Sequence, residues 1–278
     1  MEGPSIHLAA EQLRPFVGRR ILAVTGNSRI GIERLAHRPV REIFAWGKHL
    51  VFQFDRFALR IHFMLWGTFA ATINNRSVTG DYRRNGPPRL VMNFAHGEIT
   101  LWSASLRLME TPRARDEYDF SADILSDTWN PAAAFRKARA FPRDEISDVL
   151  LDQSIFAGVG NIIKNEVLFR TRTSPFAKVR SLSDRKLKAI VRDARVFSLR
   201  FLELRKAFAL RKNLDIYSRS TCPTCGHKVY RRIHGERRRR TYFCARCQHV
   251  PRSRLPATSS ATARAVPQAR RAIAASRP

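Results

Sequence analysis

The sequence reads Cys222-Pro-Thr-Cys225 and, after eighteen intervening residues, Cys244-Ala-Arg-Cys247. These are all four cysteines of the 278-residue chain. Paired C-x-x-C turns at this spacing are typical of a four-thiolate zinc site, in which one tetrahedral ion ties two hairpins together. Two disulfides would use the same residues, but a cysteine cluster in a chain without an evident export signal favours metal. We therefore predict a zinc ribbon over residues 219–251 with one structural Zn²⁺.

The predicted ribbon is also rich in arginine. Arg237 to Arg240 follow the turn at Gly235, on the returning arm of a hairpin that Tyr230 and the Thr241-Tyr242-Phe243 run indicate. Guanidinium groups on such an arm can reach nucleic-acid phosphates. A solvated basic face would explain the same four arginines, so the run alone leaves both interpretations open.

Positive charge extends over the whole chain. Lysine and arginine number 51 against 23 acidic residues, which gives a net charge of +28. Residues 251–278 hold six arginines and no acidic residue, which leaves +22 on the rest. Such an excess is costly unless a polyanion neutralises it, so nucleic acid is the expected partner. No stretch of about 18 apolar residues lacks a charge, so we expect a cytoplasmic, nucleoid-associated bacterial protein with no membrane partner.

Helical periodicity dominates the region before the ribbon, and we predict an all-α domain over residues 126–218. Its predicted helices are 131–139, 144–152, 161–170 and 183–208. Gly158 and Gly160 lie between two of these helices, so that Asn161 opens the second one. Free N–H groups at a helix N-terminus favour a bound phosphate. A purely structural glycine turn is an equally good explanation of this segment alone.

Residues 1–125 have the texture of short strands after one short helix at 6–16. The predicted strands are 21–24, 49–54, 58–63, 68–73, 90–94 and 98–102. Turn signals between them, such as Asn74-Asn75, favour an antiparallel β-sandwich. The predicted fold class is therefore α+β: this sandwich with short helices, the helical domain and the zinc ribbon. Residues 252–278 are too polar and basic to fold alone, and we expect a disordered tail there.

The order of these motifs resembles the formamidopyrimidine-DNA glycosylase and endonuclease VIII family. The similarity covers residues 1–250 and depends on the 150–169 helix–two-turn–helix segment, on Leu214-Asp-Ile-Tyr217 and on the ribbon. It implies a monomeric base-excision-repair enzyme that flips a damaged base out of double-stranded DNA, excises it and nicks the abasic site. It also implies roles for single residues. These are Lys48 and Asn161 as phosphate ligands, Glu166 as a supporting acid, and Arg239 as the ribbon arginine that grips the lesion phosphate.

The start of the sequence, Met1-Glu2-Gly3-Pro4, is similar to the catalytic terminus of that family, except that the catalytic proline is absent. The register is kept, because Met1 directly precedes Glu2 as the proline would. An α-amine has an ordinary pKa of about 8, so it can attack the sugar C1′ atom as a Schiff-base nucleophile. Glu2 can protonate the sugar ring oxygen. The family often has a second acid where this chain has Ser5, and both departures leave open a lesion-binding protein with little or no lyase activity.

The run His62-Phe63-Met64-Leu65-Trp66-Gly67 is similar to the wedge loop of the endonuclease VIII branch. A flipped base leaves a gap that side chains must fill, and Met64, Leu65 and Trp66 are the candidates. The alternative is that they belong to the core of a strand pair. Trp102-Ser-Ala-Ser-Leu106 and the short passage at 208–214 also resemble this branch, so we expect oxidised pyrimidines as substrates. A zinc-ribbon transcription or RNA-binding factor would explain the charge and the cysteines, but not Glu2-Gly3-Pro4, Lys48 and Asn161 together.

Overall fold

The computed structural model describes residues 1–78 and 86–255. The helices are α1 Gly3–Leu13, α2 Pro131–Arg139, α3 Ile146–Val149, α4 Asn161–Arg170 and α5 Asp184–Lys206. The strands are β1 Ile21–Thr25, β2 Glu42–Trp46, β3 His49–Gln53, β4 Ala58–Ile73, β5 Arg76–Ser77, β6 Leu90–Phe94, β7 Gly97–Met109, β8 Tyr230–His234 and β9 Arg239–Phe243. Within the described ranges, no helix has both the length and the apolar character needed to cross a membrane.

The amino-terminal strands form one antiparallel sheet with the order β1-β6-β7-β4-β3-β2, and β5 pairs with β4. The long strands β4 and β7 pair from Ala58↔Met109 to Ile73↔Gly97 and connect the two halves of the sheet. Leu50 of β3 and Leu90 of β6 share one hydrophobic core, although their strands lie far apart in the sheet order. The sheet therefore curls on itself, and α1 packs Ile6 into the same core. The predicted antiparallel fold is confirmed.

The helical domain has its own core and well-defined helix starts. Asn130 accepts a hydrogen bond from the Ala133 N–H, with Pro131 as the first helical residue, so α2 begins where both signals predict. Helices α2 and α4 have the predicted bounds, and α5 is shorter than predicted by a residue or two at each end. Helix α3 is only Ile146–Val149, because the chain turns after it towards Gly158. The predicted all-α domain is confirmed.

The carboxy-terminal unit is the β8–β9 hairpin with the cysteine turns on either side. Gln248 joins it to the helical domain, since its side chain accepts from the Cys244 N–H and donates to the Thr173 carbonyl. Residues 252–255, which the sequence assigns to the tail, include a short 3-10 helix at Arg252–Arg254. Leu255 packs on the cluster that contains Phe176. The rest of the predicted tail, 256–278, lies outside the described residues.

A buried carboxylate joins the sheet domain to the helical domain. Asp123 is fully buried, and its Oδ2 atom lies 3.1 Å from His7 Nε2 of α1. The same oxygen accepts from the Gly47 N–H at 2.9 Å, in the β2–β3 turn that precedes Lys48. Its other oxygen accepts from the Leu125 N–H at 2.9 Å. Asp123 therefore fixes α1 and the Lys48 turn relative to the start of the helical domain.

Candidate functional site

The carboxylate of Glu2 closes the N-terminus of α4. Its Oε1 atom accepts from the Ile162 N–H at 2.6 Å, and its Oε2 atom accepts from the Ile163 N–H at 3.2 Å. These two N–H groups have no partner within the helix, and the helix dipole favours negative charge at this position. The first turn of α4 thus binds the Glu2 carboxylate of the amino-terminal segment. This is the anion-binding position at which the sequence predicts a phosphate.

Glycines make this approach possible. A Cβ atom on Gly160 would lie only 2.7 Å from Glu2 Oε1, and one on Gly3 would lie 2.5 Å from the Gly158 Cα atom. The Gly3 N–H also donates to the Gly158 carbonyl at 2.9 Å. Any side chain at these positions would push the amino-terminal segment away from α4. Gly160 of the predicted turn and Gly3 are therefore required by the close packing of two segments that are distant in the sequence.

Cationic groups surround Glu2. Burial lowers the pKa of the Met1 amino group; Glu2 opposes this, while Lys48, Arg205 and Arg239 lower the value further. Burial also lowers the pKa of Lys48 to about 8, again with Glu2 opposing it. The pKa of Glu2 itself is raised by burial, against the two α4 N–H groups and Lys48. An amine that is easily neutral and an acid that easily holds a proton thus lie side by side.

Arg239 reaches this group from the ribbon. It lies on the same face of β9 as Thr241, because alternate residues of a strand share a face. The Asn161 side-chain amide donates to the Arg240 carbonyl at 2.9 Å, and the Asn165 amide donates to it at 3.3 Å. Asn161 thus holds β9 against α4. Its predicted contact with a phosphate stays a prediction.

Glu166 has a different environment from Glu2. This fully buried carboxylate accepts hydrogen bonds from the backbone N–H groups of Asp215, Ile216 and Tyr217 at 2.8 to 3.0 Å. It therefore fixes the Leu214-Asp-Ile-Tyr217 segment to α4. These contacts are structural, and the role of a supporting acid that the resemblance implies for Glu166 stays a prediction.

The predicted wedge residues protrude from the sheet. The β4–β7 register is interrupted between Phe63↔Ala104 and Thr68↔Trp102, so that four residues of β4 face the single residue Ser103. The excess chain bulges outward, and the exposed fractions are 53% for Met64, 72% for Leu65 and 66% for Trp66. These three residues are therefore not part of the core of a strand pair, which is the alternative that the sequence leaves open. They form an apolar tip two residues beyond His62.

The sequence alone did not single out His62, Arg205 or Lys164, which the structure brings to this site. Burial lowers the pKa of His62, and the charges of the Met1 amine and Lys48 lower it further. Arg205 comes from the end of α5, which packs on α1. No motif marks them, because a histidine in a strand or a basic residue in a helix is common. The position of His62 beside the Lys48 turn follows only from the pairing of β3 with β4, in which His49 pairs with His62.

The four cysteine thiols form one cluster. Their sulfur atoms lie within 4.8 Å of one another, with Cys225–Cys244 at 3.5 Å and Cys222–Cys247 at 3.8 Å. A disulfide requires about 2.05 Å, so these sulfurs are not bonded. Zinc–sulfur bonds of about 2.3 Å in a tetrahedron place sulfurs about 3.8 Å apart, which fits this cluster. The donor set can therefore hold one metal ion with no open position.

Comparison with known protein families and sequences gives three findings. Residues 121–206 match the formamidopyrimidine-DNA glycosylase H2TH domain. The chain is 34% identical to endonuclease 8-like 3 of Mus musculus over 207 residues, which are 73% of this chain and 33% of the mouse protein. It is 27% identical to probable endonuclease 8 2 of Streptomyces coelicolor over 274 residues, 91% of this chain and 95% of that protein. The chain thus spans about a third of the length of the mouse relative.

A solved structure shares the whole architecture. The formamidopyrimidine-DNA glycosylase of Lactococcus lactis, non-covalently bound to DNA that contains an AP site, matches with a TM-score of 0.76 at 21% identity. The match covers 89% of this chain and 99% of that chain. At this identity the likeness establishes a common fold, from the curled sheet through the helical domain to the ribbon.

Proposed function

Since the chain belongs to the formamidopyrimidine-DNA glycosylase and endonuclease VIII family, on its endonuclease VIII-like side, we propose that it is a DNA glycosylase with abasic-site lyase activity. One observation carries the proposal. The Met1 amino group and the Glu2 carboxylate meet at the N-terminus of α4, with Lys48 and Arg239 beside them. This is a nucleophile next to an acid, in a cationic setting that suits a phosphodiester.

The proposed chemistry begins with the Met1 amine. Its nitrogen attacks the C1′ atom of a flipped nucleotide, the glycosidic bond breaks, and the base leaves with the proton that the nitrogen gives up. Glu2 supplies a proton to the sugar ring oxygen, which opens the ring and leaves an imine on Met1. The Glu2 carboxylate that remains takes a proton from C2′, and the electron pair of that C–H bond expels the 3′ phosphate, which nicks the strand. The raised pKa of Glu2 and the lowered pKa of the Met1 amine both favour the protonation states that this sequence of steps needs.

The remaining residues hold the DNA. Lys48 and Arg239 neutralise the phosphates next to the flipped nucleotide, and Asn161 contributes its second amide N–H there. Met64, Leu65 and Trp66 enter the gap that the base leaves. Apolar wedges offset part of the unstacking cost of a few kcal/mol. The four thiolates hold one Zn²⁺ whose part is to fold the ribbon that carries Arg239. The protein acts on double-stranded DNA as a monomer.

Oxidised pyrimidines are the proposed substrates. Helix α5 ends at Lys206 and the chain reaches Leu214 through one short 3-10 turn, so no long loop stands at this place to close over a large purine. The exposed tip at Met64–Trp66 and the strand that contains Trp102 also resemble the endonuclease VIII branch of the family. A panel of duplexes with one oxidised pyrimidine, one oxidised purine or one formamidopyrimidine would rank the lesions by single-turnover excision rate.

Borohydride trapping on abasic-site DNA tests the proposed chemistry. We expect a covalent adduct at the α-amine of Met1, because a neutral primary amine next to Glu2 forms an imine that hydride reduces. Mass spectrometry of the amino-terminal peptide locates it. Lys48→Gln is the matched control, since it removes the Lys48 amine and should leave the adduct at Met1. An adduct on an internal lysine, or base excision with no adduct at all, contradicts the assignment.

Lys48 predicts a pH dependence of DNA binding. Its pKa in the free protein is about 8, and contact with a phosphate raises that value. Binding therefore takes up a proton near and above pH 8, so the affinity is complete below pH 8 and falls as the pH rises, by at most about tenfold per unit for one proton. Fluorescence anisotropy with an abasic-analogue duplex at constant ionic strength measures this. Lys48→Arg stays charged and should flatten the curve, whereas a parallel decline of both proteins contradicts the role.

A further inference from the structure

Lys164 is a buried cation that the proposed chemistry does not use. Its exposed fraction is 1%, and its Nζ atom donates to Thr241 Oγ1 of β9 at 2.9 Å. The charges of Asp148 and Glu2 favour its ammonium form, while burial lowers its pKa to about 8. Placing an ammonium in the interior beside a neutral hydroxyl is costly, and an apolar side chain would fill the space at lower cost. A residue of this kind calls for a role beyond filling space.

The first turns of α4 hold three consecutive residues of β9. The side-chain amides of Asn161 and Asn165 both donate to the Arg240 carbonyl, and Lys164 donates to the Thr241 hydroxyl. The side-chain Oδ1 atom of Asn165 accepts from the Tyr242 N–H at 2.8 Å. Three of these contacts, two to the Arg240 carbonyl and one to the Tyr242 N–H, bind the backbone of β9. The Lys164 contact is different, because it binds a side chain and so acts on one face of the strand.

That face carries Arg239. Thr241 and Phe243 are fully buried, and Arg239, two residues before Thr241, continues their row to the exposed end of the strand. The Thr241 hydroxyl also lies 3.5 Å from the Arg239 carbonyl. The charge of Arg239 lowers the pKa values of Lys164, Lys48 and the Met1 amine, so its guanidinium acts electrostatically on all three. A small rotation of β9 about its own axis would move this guanidinium much more than the backbone.

We propose that Lys164 is a positioning residue for Arg239: its ammonium holds Thr241 on α4 and thereby sets where the Arg239 guanidinium meets the phosphate of the lesion. The inference rests on the proposed function, in which Arg239 binds that phosphate. Misplacement of a binding group by about 1 Å can cost about 100-fold in rate, so a single hydrogen bond at this point can have a large effect. Asp148 supports the arrangement from α3, where it packs against Gly235 at the tip of the ribbon hairpin.

A double-mutant cycle between Lys164 and Arg239 tests the proposal. The proteins are the full chain, Lys164→Met, Arg239→Ala and the double variant, and the readouts are abasic-analogue affinity and single-turnover excision. We expect each single change to lower excision between about tenfold and 100-fold, and the second change to add little once the first is made. Lys164→Met should leave the thermal unfolding temperature unchanged or higher, because it removes a buried charge. Lys164→Arg should restore part of the activity.

A pair of changes at the other end of the contact provides the matched control. Thr241→Val removes the hydroxyl and leaves the lysine, so it should reproduce Lys164→Met, whereas Thr241→Ser keeps the hydroxyl and should remain near the unchanged protein. This pair also decides the matter if Lys164→Met fails to fold. A full, multiplicative loss from Arg239→Ala in both Lys164 backgrounds overturns the inference. Full activity of Arg239→Ala alone would instead refute the proposed function of Arg239, so the two failures are distinguishable.

Discussion

Glutamine in place of Glu2 is expected to abolish most base excision while lesion binding persists. General acid catalysis contributes about 10²- to 10⁴-fold, and an amide cannot supply the proton that the sugar ring oxygen needs. The glutamine carbonyl can still accept from the Ile162 N–H, so α4 keeps one of its two capping hydrogen bonds. Both steps, excision and nicking, should therefore decline together. Single-turnover kinetics on one oxidised-pyrimidine duplex and anisotropy on its abasic analogue separate chemistry from binding.

Glu166→Gln is the matched control for this experiment. Both carboxylates accept backbone N–H groups, but Glu2 accepts those of Ile162 and Ile163 at the start of α4. Glu166, within α4, accepts those of Asp215, Ile216 and Tyr217. Its replacement should lower the unfolding temperature and leave the rate of the chemical step of bound DNA nearly unchanged. Wild-type excision by Glu2→Gln would refute the acid role. If Glu166→Gln remained fully stable and lost as much of the excision rate as Glu2→Gln, the proposed division into a catalytic Glu2 and a structural Glu166 would be wrong.

Cys244→Ser is expected to remove the ribbon and DNA binding at once. Cys244 is fully buried, and its sulfur lies 3.5 Å from that of Cys225 within the four-thiolate cluster. Structural zinc contributes about 10–16 kcal/mol of apparent binding free energy to small domains, far more than a hairpin of this size gains by packing. Without the ion, the β8–β9 hairpin unfolds, and Arg239 is no longer held at the site. The sheet and the helical domain have separate cores and should remain folded.

Metal analysis, anisotropy and thermal unfolding together measure this outcome. We expect less than one zinc per chain, loss of lesion affinity, and a retained main unfolding transition. Ala245→Ser places the same new side chain at the neighbouring position without removing a ligand, and it should keep both zinc and affinity. The four-thiolate assignment is wrong if Cys244→Ser retains one equivalent of zinc and full DNA affinity.

The sequence predicts most where local signals agree. Pro131–Arg139 and Asn161–Arg170 have the predicted bounds, because a capping Asn with Pro, or a glycine before Asn, marks each helix start. The cysteine pairs predict the ribbon for the same reason. The strand β2, Glu42–Trp46, was not predicted, and β4 was predicted as two strands. Its continuity depends on β7, which pairs with β4 on both sides of the Met64–Gly67 bulge.

The sequence predicts the site less completely, because its contacts join distant segments. Glu2 accepts hydrogen bonds from Ile162 and Ile163, and no pattern within either segment predicts this contact. Only the family resemblance assigns Glu2 and Asn161 to the same site. Lys164 shows the limit more clearly. In sequence it is one lysine in a helix of mixed character, and a lysine is expected on the surface. Its burial follows from the position of β9, which comes 75 residues or more after it in the chain.

The joining of Glu2 to α4 and of α4 to β9 also determines when the site can form during synthesis. Ribosomes make the amino terminus first and the ribbon last, and domains fold largely in that order. A nascent chain that ends before α4 carries Glu2 without the helix that holds it. One that ends before β9 has acid and helix but no Arg239. Among the described strands β9 is synthesised last. If the proposed function holds, an interrupted translation product therefore lacks the Arg239 contact with the lesion phosphate.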